Sequence, residues 1–185
     1  MARPALLTRL RKRAMHSKSK VLRAYWTRSL DRNRRKYLAK TVAFDGVPTM
    51  RGLALLLKHA RKHGWDGRLN SSDRRKGVAE RYGHQSQAAL YAGWVARRPG
   101  FNPANPPGVS SHELRSDGSR VFPVSRGRVL PWYMLGLDVD DDAGLVKALS
   151  HLGVHATHPY SSASEKHHVN VIADPTGVLV HLGEA

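Results

Sequence analysis

The spacing of apolar residues predicts helices in the first half of the chain. Residues 5–38 carry leucine, alanine and aromatic residues among many Arg and Lys, which is typical of one or two amphipathic helices with a narrow apolar stripe. Leucine and alanine recur at helical spacing over residues 53–60, which predicts a helix that Thr49 caps and that ends at residues 62–64. A further helix is predicted over residues 78–98. It ends there because the proline-rich stretch that follows cannot continue a helix.

The pattern changes to strands in the second half. Residues 134–140 alternate, with apolar side chains on one face and Gly136, Asp138 and Asp140 on the other. A short helix is predicted over residues 141–152. Shorter strands are predicted at residues 65–69, 154–156, 168–172 and 178–181, with turns at residues 44–48 and 174–177. Helices that precede a small, mostly antiparallel sheet place the chain in the α+β class.

Positive charge is concentrated at the start of the chain. The sequence has a formal net charge of +17, of which the first 40 residues contribute +13, with fourteen Lys or Arg residues and a single acid, Asp31. We therefore predict a basic helical arm at residues 1–45 and a domain of ordinary charge at residues 46–185. The arm either packs on its domain or binds a polyanion, such as an anionic membrane surface, a phosphate-bearing wall polymer or nucleic acid. In the packed arrangement the inward side chains are predicted to be Leu10, Leu22 and Trp26.

Composition limits the kinds of site and segment that the chain can contain. There is no run of about 18 apolar residues, so no membrane-spanning helix is predicted. The segment Pro4-Ala5-Leu6-Leu7 is too short for the apolar part of a secretory signal, which needs about 7–15 residues. The sequence contains no cysteine, so any zinc site must be built from histidine and carboxylate side chains.

A glutamate, an aspartate and two histidines supply candidate chemistry. In the motif Glu165-x-x-His168 a carboxylate precedes an imidazole by three residues, just before a predicted strand. Strand alternation places His168 and Asp138 on the polar faces of their strands, so the two side chains can meet in one cleft. His112 follows the proline-rich loop and is the third candidate ligand. Three protein ligands with an open fourth position describe a catalytic zinc site, in which Glu165 is the candidate general base.

These motifs resemble those of the zinc D-alanyl-D-alanine carboxypeptidase and L-alanyl-D-glutamate endopeptidase family, and within it those of actinobacteriophage endolysins. Residues 107–112 are similar to the Pro-Gly-x-Ser-x-His motif of that family, residues 136–139 to its second-ligand strand, and Glu165-x-x-His168 to its closing motif. The resemblance runs from about residue 49 to residue 171. It implies a hedgehog or D,D-peptidase-like fold with the catalytic glutamate Glu165. The zinc ligands that it implies are His112, Asp138 and His168.

The position of the aspartate ligand has an alternative. The family places its aspartate close behind the histidine, whereas Asp138 lies 26 residues after His112, across an insertion. Asp138 is preferred because a β-branched apolar residue follows it, as in the family, and because Asp140 begins an acidic cluster typical of a helix N-terminus. Asp140 shares the strand parity of Asp138 and stays an alternative, and Asp117 is an outside candidate.

The catalytic arginine also has two candidates. The Ser-x-x-Arg turn of the family matches this chain in two registers, from Ser72 to Arg75 or from Ser71 to Arg74. In either register the arginine is expected to stabilise the tetrahedral oxyanion or a substrate carboxylate. Both Arg74 and Arg75 are therefore predicted site residues.

The resemblance implies a phage-type zinc peptidase that cuts an amide bond in the peptide stems of bacterial peptidoglycan. The absence of a recognised export signal fits synthesis in a host cytoplasm and action on the cell wall after release. The arm is then the candidate anchor to the anionic envelope, and no protein partner is predicted. The alternative interpretation is a non-enzymatic nucleic-acid-binding or virion structural protein that uses the arm as its polyanion contact.

Overall fold

Helices and two small antiparallel sheets make up the described part of the chain. The computed structural model describes residues 4–17, 19–108, 110–113, 134–158, 167–172 and 175–184. Its elements in chain order are α1 (Pro4–His16), α2 (Lys20–Leu38), β1 (Thr41–Phe44), β2 (Val47–Met50), α3 (Arg51–Lys62), β3 (Leu69–Ser71), a 3₁₀ turn (Glu80–Tyr82), α4 (Gln87–Val95), β4 (Met134–Val139), α5 (Asp142–His151), β5 (Ala156–Thr157), β6 (His168–Ile172) and α6 (Pro175–His181).

The larger sheet contains four strands in the order β3-β4-β6-β5, and each neighbouring pair is antiparallel. Its two central strands, β4 and β6, pair from Met134 opposite Ile172 to Asp138 opposite His168. One face of this pair belongs to the core through the fully buried side chains of Leu137, Val139, Val169 and Val171. The predicted α+β class, with a small antiparallel sheet and flanking helices, is confirmed.

Helix α3 packs into the same core through a stripe at positions i, i+3, i+4 and i+7. The fully buried residues of this stripe are Leu53, Leu56, Leu57 and Ala60. The helix begins at Arg51 after Met50, so the predicted cap by Thr49 is wrong. Thr49 belongs instead to β2, and its Oγ1 lies 2.8 Å from Ser72 Oγ in a buried hydrogen bond.

The strand predicted at residues 178–181 is wrong, because this segment belongs to helix α6. Residues 175–177, predicted as a turn, also lie in that helix. Pro175 suits the first helical position, since its fixed φ matches the helix and its missing amide donor is not needed there. Leu179 is fully buried in the core, and α6 packs against α3. A short apolar run satisfies both periodicities, so packing against α3 decides its conformation.

Several other predicted boundaries shift. The strand predicted at residues 65–69 begins only at Leu69, and the one predicted at 154–156 overlaps β5 at Ala156 alone. The helix predicted at residues 78–98 is confined to α4, because Gly83 adopts a left-handed φ of 76° that interrupts it. Ser86 then caps α4 by accepting a hydrogen bond from the Ala89 amide at 3.4 Å.

Helices α1 and α2 pack against each other as a hairpin that buries Leu10, Ala14 and Leu30. Leu22 is 52% exposed, so the prediction that it faces inward is wrong. At the other end of α2, Leu38 belongs to the core shared by α3 and the sheet. The boundary predicted between residues 45 and 46 falls in the turn that joins β1 to β2. No helix in the described ranges combines the length and apolar character needed to cross a bilayer.

Candidate metal centre

Two neighbouring strands and one loop bring three ligand-type side chains together. Asp138 in β4 lies directly opposite His168 in β6, so both side chains lie on the same face of the sheet. The loop that carries His112 is held against β4, because the Gly136 amide donates to the Ser111 carbonyl at 2.9 Å. A Cβ atom at Gly136 would lie 2.3 Å from Ser111 Oγ, so the close approach of the loop requires glycine.

The donor atoms of the three residues face one point. Asp138 Oδ1 lies 2.9 Å from His168 Nδ1 and 3.5 Å from His112 Nε2, and the two ring nitrogens are 3.2 Å apart. Ligands placed about 2.0 Å from a tetrahedral ion are about 3.3 Å from one another. The three residues therefore lie close enough to bind one metal ion.

The surroundings of His112 keep its imidazole neutral, as a metal ligand would have to be. Its side chain is 4% exposed, and its Nδ1 lies 3.0 Å from the Ser72 carbonyl oxygen. A carbonyl oxygen can only accept, so Nδ1 carries the ring proton and Nε2 presents a lone pair to the cluster. Burial lowers the pKa of His112 to about 4, against the opposing effect of Asp138. The imidazole is therefore neutral near pH 7, which metal binding requires.

Two polar side chains hold the other imidazole. His168 Nε2 lies 3.1 Å from Asn170 Oδ1 and 3.1 Å from Ser111 Oγ. When Nε2 carries the ring proton and donates it to Asn170, Nδ1 presents a lone pair towards His112 and Asp138. Lone pairs then face one another at the centre, which is an arrangement that a bound cation stabilises.

Asp138 supplies the negative charge of the centre. Its Oδ2 accepts a hydrogen bond from Arg74 Nη2, which leaves Oδ1 facing the two histidines. Burial opposes ionisation of this carboxyl, whereas the positive charge of Arg74, which hydrogen-bonds Oδ2, favours it. The pKa of Asp138 consequently lies well below its usual range, and the side chain is ionised at neutral pH.

The two candidate arginines have different partners. Arg74 Nε donates to Ser71 Oγ at 2.7 Å, and the Arg74 amide donates to the His112 carbonyl at 2.8 Å. Arg75 is paired with buried Asp73, to which its Nε and Nη2 donate at 2.9 and 2.7 Å. The structure therefore brings Arg74, in the register that starts at Ser71, to the candidate metal centre, and it places Arg75 in a separate ion pair.

Asp140 is absent from the group of ligand-type residues found in the described ranges. It follows the last residue of β4, and its Oδ1 accepts a hydrogen bond from the Arg68 amide at 2.5 Å. Strand pairing ends at Val139, so the parity that Asp140 shares with Asp138 no longer directs it to the histidines. Glu165 and Asp117 lie outside the described residues.

Comparisons with models of known protein families, with curated proteins and with solved structures found no match to this chain. The chemistry of the centre must therefore be inferred from its own residues. Two imidazoles and one carboxylate form a donor set that suits several divalent first-row metals. The hydrogen bonds made by the opposite atoms of these side chains are the kind that orient metal ligands.

The roles of three further residues were missed by the sequence patterns. Asn170 carried a usable signal, because it shares the polar face of β6 with His168. Gly136 carried another, since an isolated glycine in a strand often marks a close approach of backbone. Ser72 orients His112 through its backbone carbonyl, for which no side-chain pattern exists.

Proposed function

We propose that this protein is a zinc-dependent peptidase that cleaves an amide bond in the peptide stems of bacterial peptidoglycan. The observation that carries the proposal is the convergence of His112 Nε2, His168 Nδ1 and Asp138 Oδ1 within 3.5 Å of one another. Histidine nitrogens and carboxylate oxygens are the ligands of many catalytic zinc sites. The resemblance of the surrounding motifs to zinc peptidases that act on peptidoglycan supports this substrate class.

The metal and the protein have separate tasks in this proposal. When bound, zinc lowers the pKa of a water molecule and polarises the substrate carbonyl. His112, Asp138 and His168 hold the ion. Ser72 and Asn170 keep the ring protons on the side of each imidazole that faces away from it.

Glu165 is the proposed general base. In the sequence it precedes His168, the first residue of β6, by three residues. In the proposed reaction Glu165 accepts a proton from the water whose oxygen attacks the carbonyl carbon, and it passes this proton to the amide nitrogen as the C–N bond breaks. The products are a carboxylate and an amine.

Arg74 is the proposed contact for negative charge on the substrate. It lines a recess of about 250 Å³ together with Ser71, His84 and Leu90. A guanidinium has five N–H donors, and the hydrogen bonds to Ser71 and Asp138 use one each from Nε and Nη2. The remaining donors of Arg74 can bind a substrate carboxylate or the developing oxyanion.

Metal analysis combined with wall hydrolysis tests the proposed function. The purified protein is expected to contain about one zinc ion per chain and to reduce the turbidity of purified cell walls. A chelator should abolish this activity and added zinc should restore it. Mass spectrometry of the released peptides would then identify the bond cut. Wall hydrolysis that persists unchanged after complete removal of metal would refute the proposal.

The charge of the arm supports a second candidate function, which is nucleic-acid binding or a structural role in a virion. The first 40 residues carry +13, and no acidic residue precedes Asp31. Such binding needs no metal. Salt-sensitive binding of duplex DNA by the metal-free protein, together with an absence of wall hydrolysis, would favour this function over the peptidase.

A further inference from the structure

Exposed apolar side chains cluster where α1 meets α2, and we call this region the tip of the arm. Met15, in the last turn of α1, is 66% exposed. Val21, Leu22 and Tyr25, in the first two turns of α2, are 77%, 52% and 56% exposed. Residues at this spacing share one face of a helix. An exposed apolar patch of this kind marks an interaction site more often than an isolated exposed side chain does.

Cationic side chains surround this patch. Among the described residues, the exposed cations closest to the tip in sequence are Arg11, Lys12, Arg13, Lys20 and Arg23. Two of them, Lys12 and Arg13, line an open recess beside Trp26, and the Arg13 guanidinium packs over the Trp26 ring at 4.8 Å. No acidic residue occurs in the sequence before Asp31, so nothing in the arm's first 30 positions neutralises them. The tip therefore combines positive charge with exposed aliphatic surface.

Helix α2 also holds the tip at a distance from the core. Leu38, at the far end of α2, is buried in the core. Val21 lies 17 residues earlier, so at a rise of 1.5 Å per residue the tip stands about 25 Å from the point where α2 joins the core. Leu10, Ala14 and Leu30 are buried in the arm, so the hairpin is already formed before it meets a partner.

We propose that the tip binds the surface of a membrane rich in anionic lipids. The patch of Met15, Val21, Leu22 and Tyr25 inserts at the boundary between headgroups and acyl chains, and the surrounding cations bind lipid phosphates. The charge alone would fit any polyanion. The aliphatic side chains favour a bilayer, because they gain free energy from an apolar environment that nucleic acid backbones and wall polymers do not offer.

Co-sedimentation with vesicles tests both parts of the proposal on the full chain. Binding is expected to vesicles that contain phosphatidylglycerol, and to be much weaker with phosphatidylcholine alone. The double variant V21S/L22S should lower the partition coefficient about tenfold or more, because exposed aliphatic surface is lost. Val95→Ser is the matched control, since Val95 is an exposed valine of α4 at 59% and should not alter binding. In R11Q/R23Q the partition coefficient should fall about fivefold for each charge removed.

A second measurement on the unaltered protein reports insertion directly. Lipids brominated on their acyl chains should quench the fluorescence of Trp26, which lies next to the patch, and Trp26→Phe should abolish this quenching. An unchanged partition coefficient in V21S/L22S would overturn the proposal in favour of simple electrostatic adsorption. Tighter binding to duplex DNA than to anionic vesicles at the same salt would overturn it in favour of a nucleic-acid contact. His168→Ala should bind vesicles normally, so this test does not depend on the proposed peptidase activity.

Discussion

His112 and His168 are 56 residues apart in sequence and meet at 3.2 Å in the candidate metal centre, whereas most of the described cations of the arm are close in sequence and exposed to solvent. The centre depends on the register between β4 and β6 and on a loop held by Gly136. Its buried charge must be matched atom by atom, while the exposed charges of the arm are screened by water and salt. Single substitutions should therefore damage the centre far more than the arm.

Removal of a histidine ligand is expected to have the largest effect. His168→Ala or His112→Ala leaves two protein donors, so zinc content should fall to background and wall hydrolysis should be lost. Elemental analysis after gel filtration measures the first effect and wall turbidity the second. His167→Ala is the control, because His167 is an exposed neighbour and should retain both properties. Stoichiometric zinc in both ligand variants would show that the ion binds elsewhere.

Loss of the proposed base should separate metal binding from catalysis. Glu165→Ala is expected to keep zinc and to lower the rate of wall hydrolysis by about 10²–10⁴-fold, since proton transfer contributes that much. The rate is compared with the zinc content of the same sample. If the variant hydrolyses walls almost as fast as the unaltered protein, Glu165 does not act as the base.

Substitution of Asp138, in β4, and of Asp140, just after it, tests which of the two aspartates binds the metal. Asp138→Asn should weaken zinc affinity by more than the roughly 10–100-fold typical of outer contacts, because it neutralises a direct ligand. Asp140→Asn should have little effect, since Asp140 contacts the Arg68 amide instead. Competition with a chromogenic chelator ranks the affinities. The reverse ranking would identify Asp140, and not Asp138, as the metal ligand.

A methyl group on Gly136 should affect the metal centre indirectly, by displacing the loop that carries His112. Gly136→Ala places a Cβ 2.3 Å from Ser111 Oγ, so the loop that carries His112 must move. We expect a loss of about 1–3 kcal/mol in the free energy of unfolding, measured with denaturant, and weaker zinc binding. The double variant G136A/S111G removes the closest contact and should recover part of the stability. Unchanged stability and affinity in Gly136→Ala would show that this contact does not position His112.

Changes to the arm are expected to have the smallest effect on catalysis. R11Q/K12Q should reduce activity on intact cells a few-fold and leave cleavage of a soluble stem peptide unchanged. The difference should shrink as salt is added, because exposed charges are screened beyond about 8 Å at physiological ionic strength. Loss of zinc in this variant would instead mean that the arm supports the fold of the centre.

The same contrast explains which features could be predicted from sequence. Local patterns predicted the helices of the arm and the alternation of β4. They also predicted that Asp138 and His168 each lie on the polar face of their strand. The conformation of residues 178–181 was not, because their apolar run fits a strand or a helix and packing against α3 decides. Parity alone also could not separate Asp138 from Asp140, since the residue at which strand pairing ends is set by neighbours distant in sequence.

The place of β6 in the sheet has a consequence for the order of events during synthesis. β6 is the last described strand along the chain, yet it lies between β4 and β5. Until residue 172 has left the ribosome, Asp138 has only β3 beside it, without His168 of β6 opposite it, and the core lacks Val169 and Val171. The arm needs only contacts between nearby residues, which form fast, whereas the pairing of β4 with β6 is long-range and slow. A nascent chain would therefore present its basic tip well before it is able to hold a metal ion.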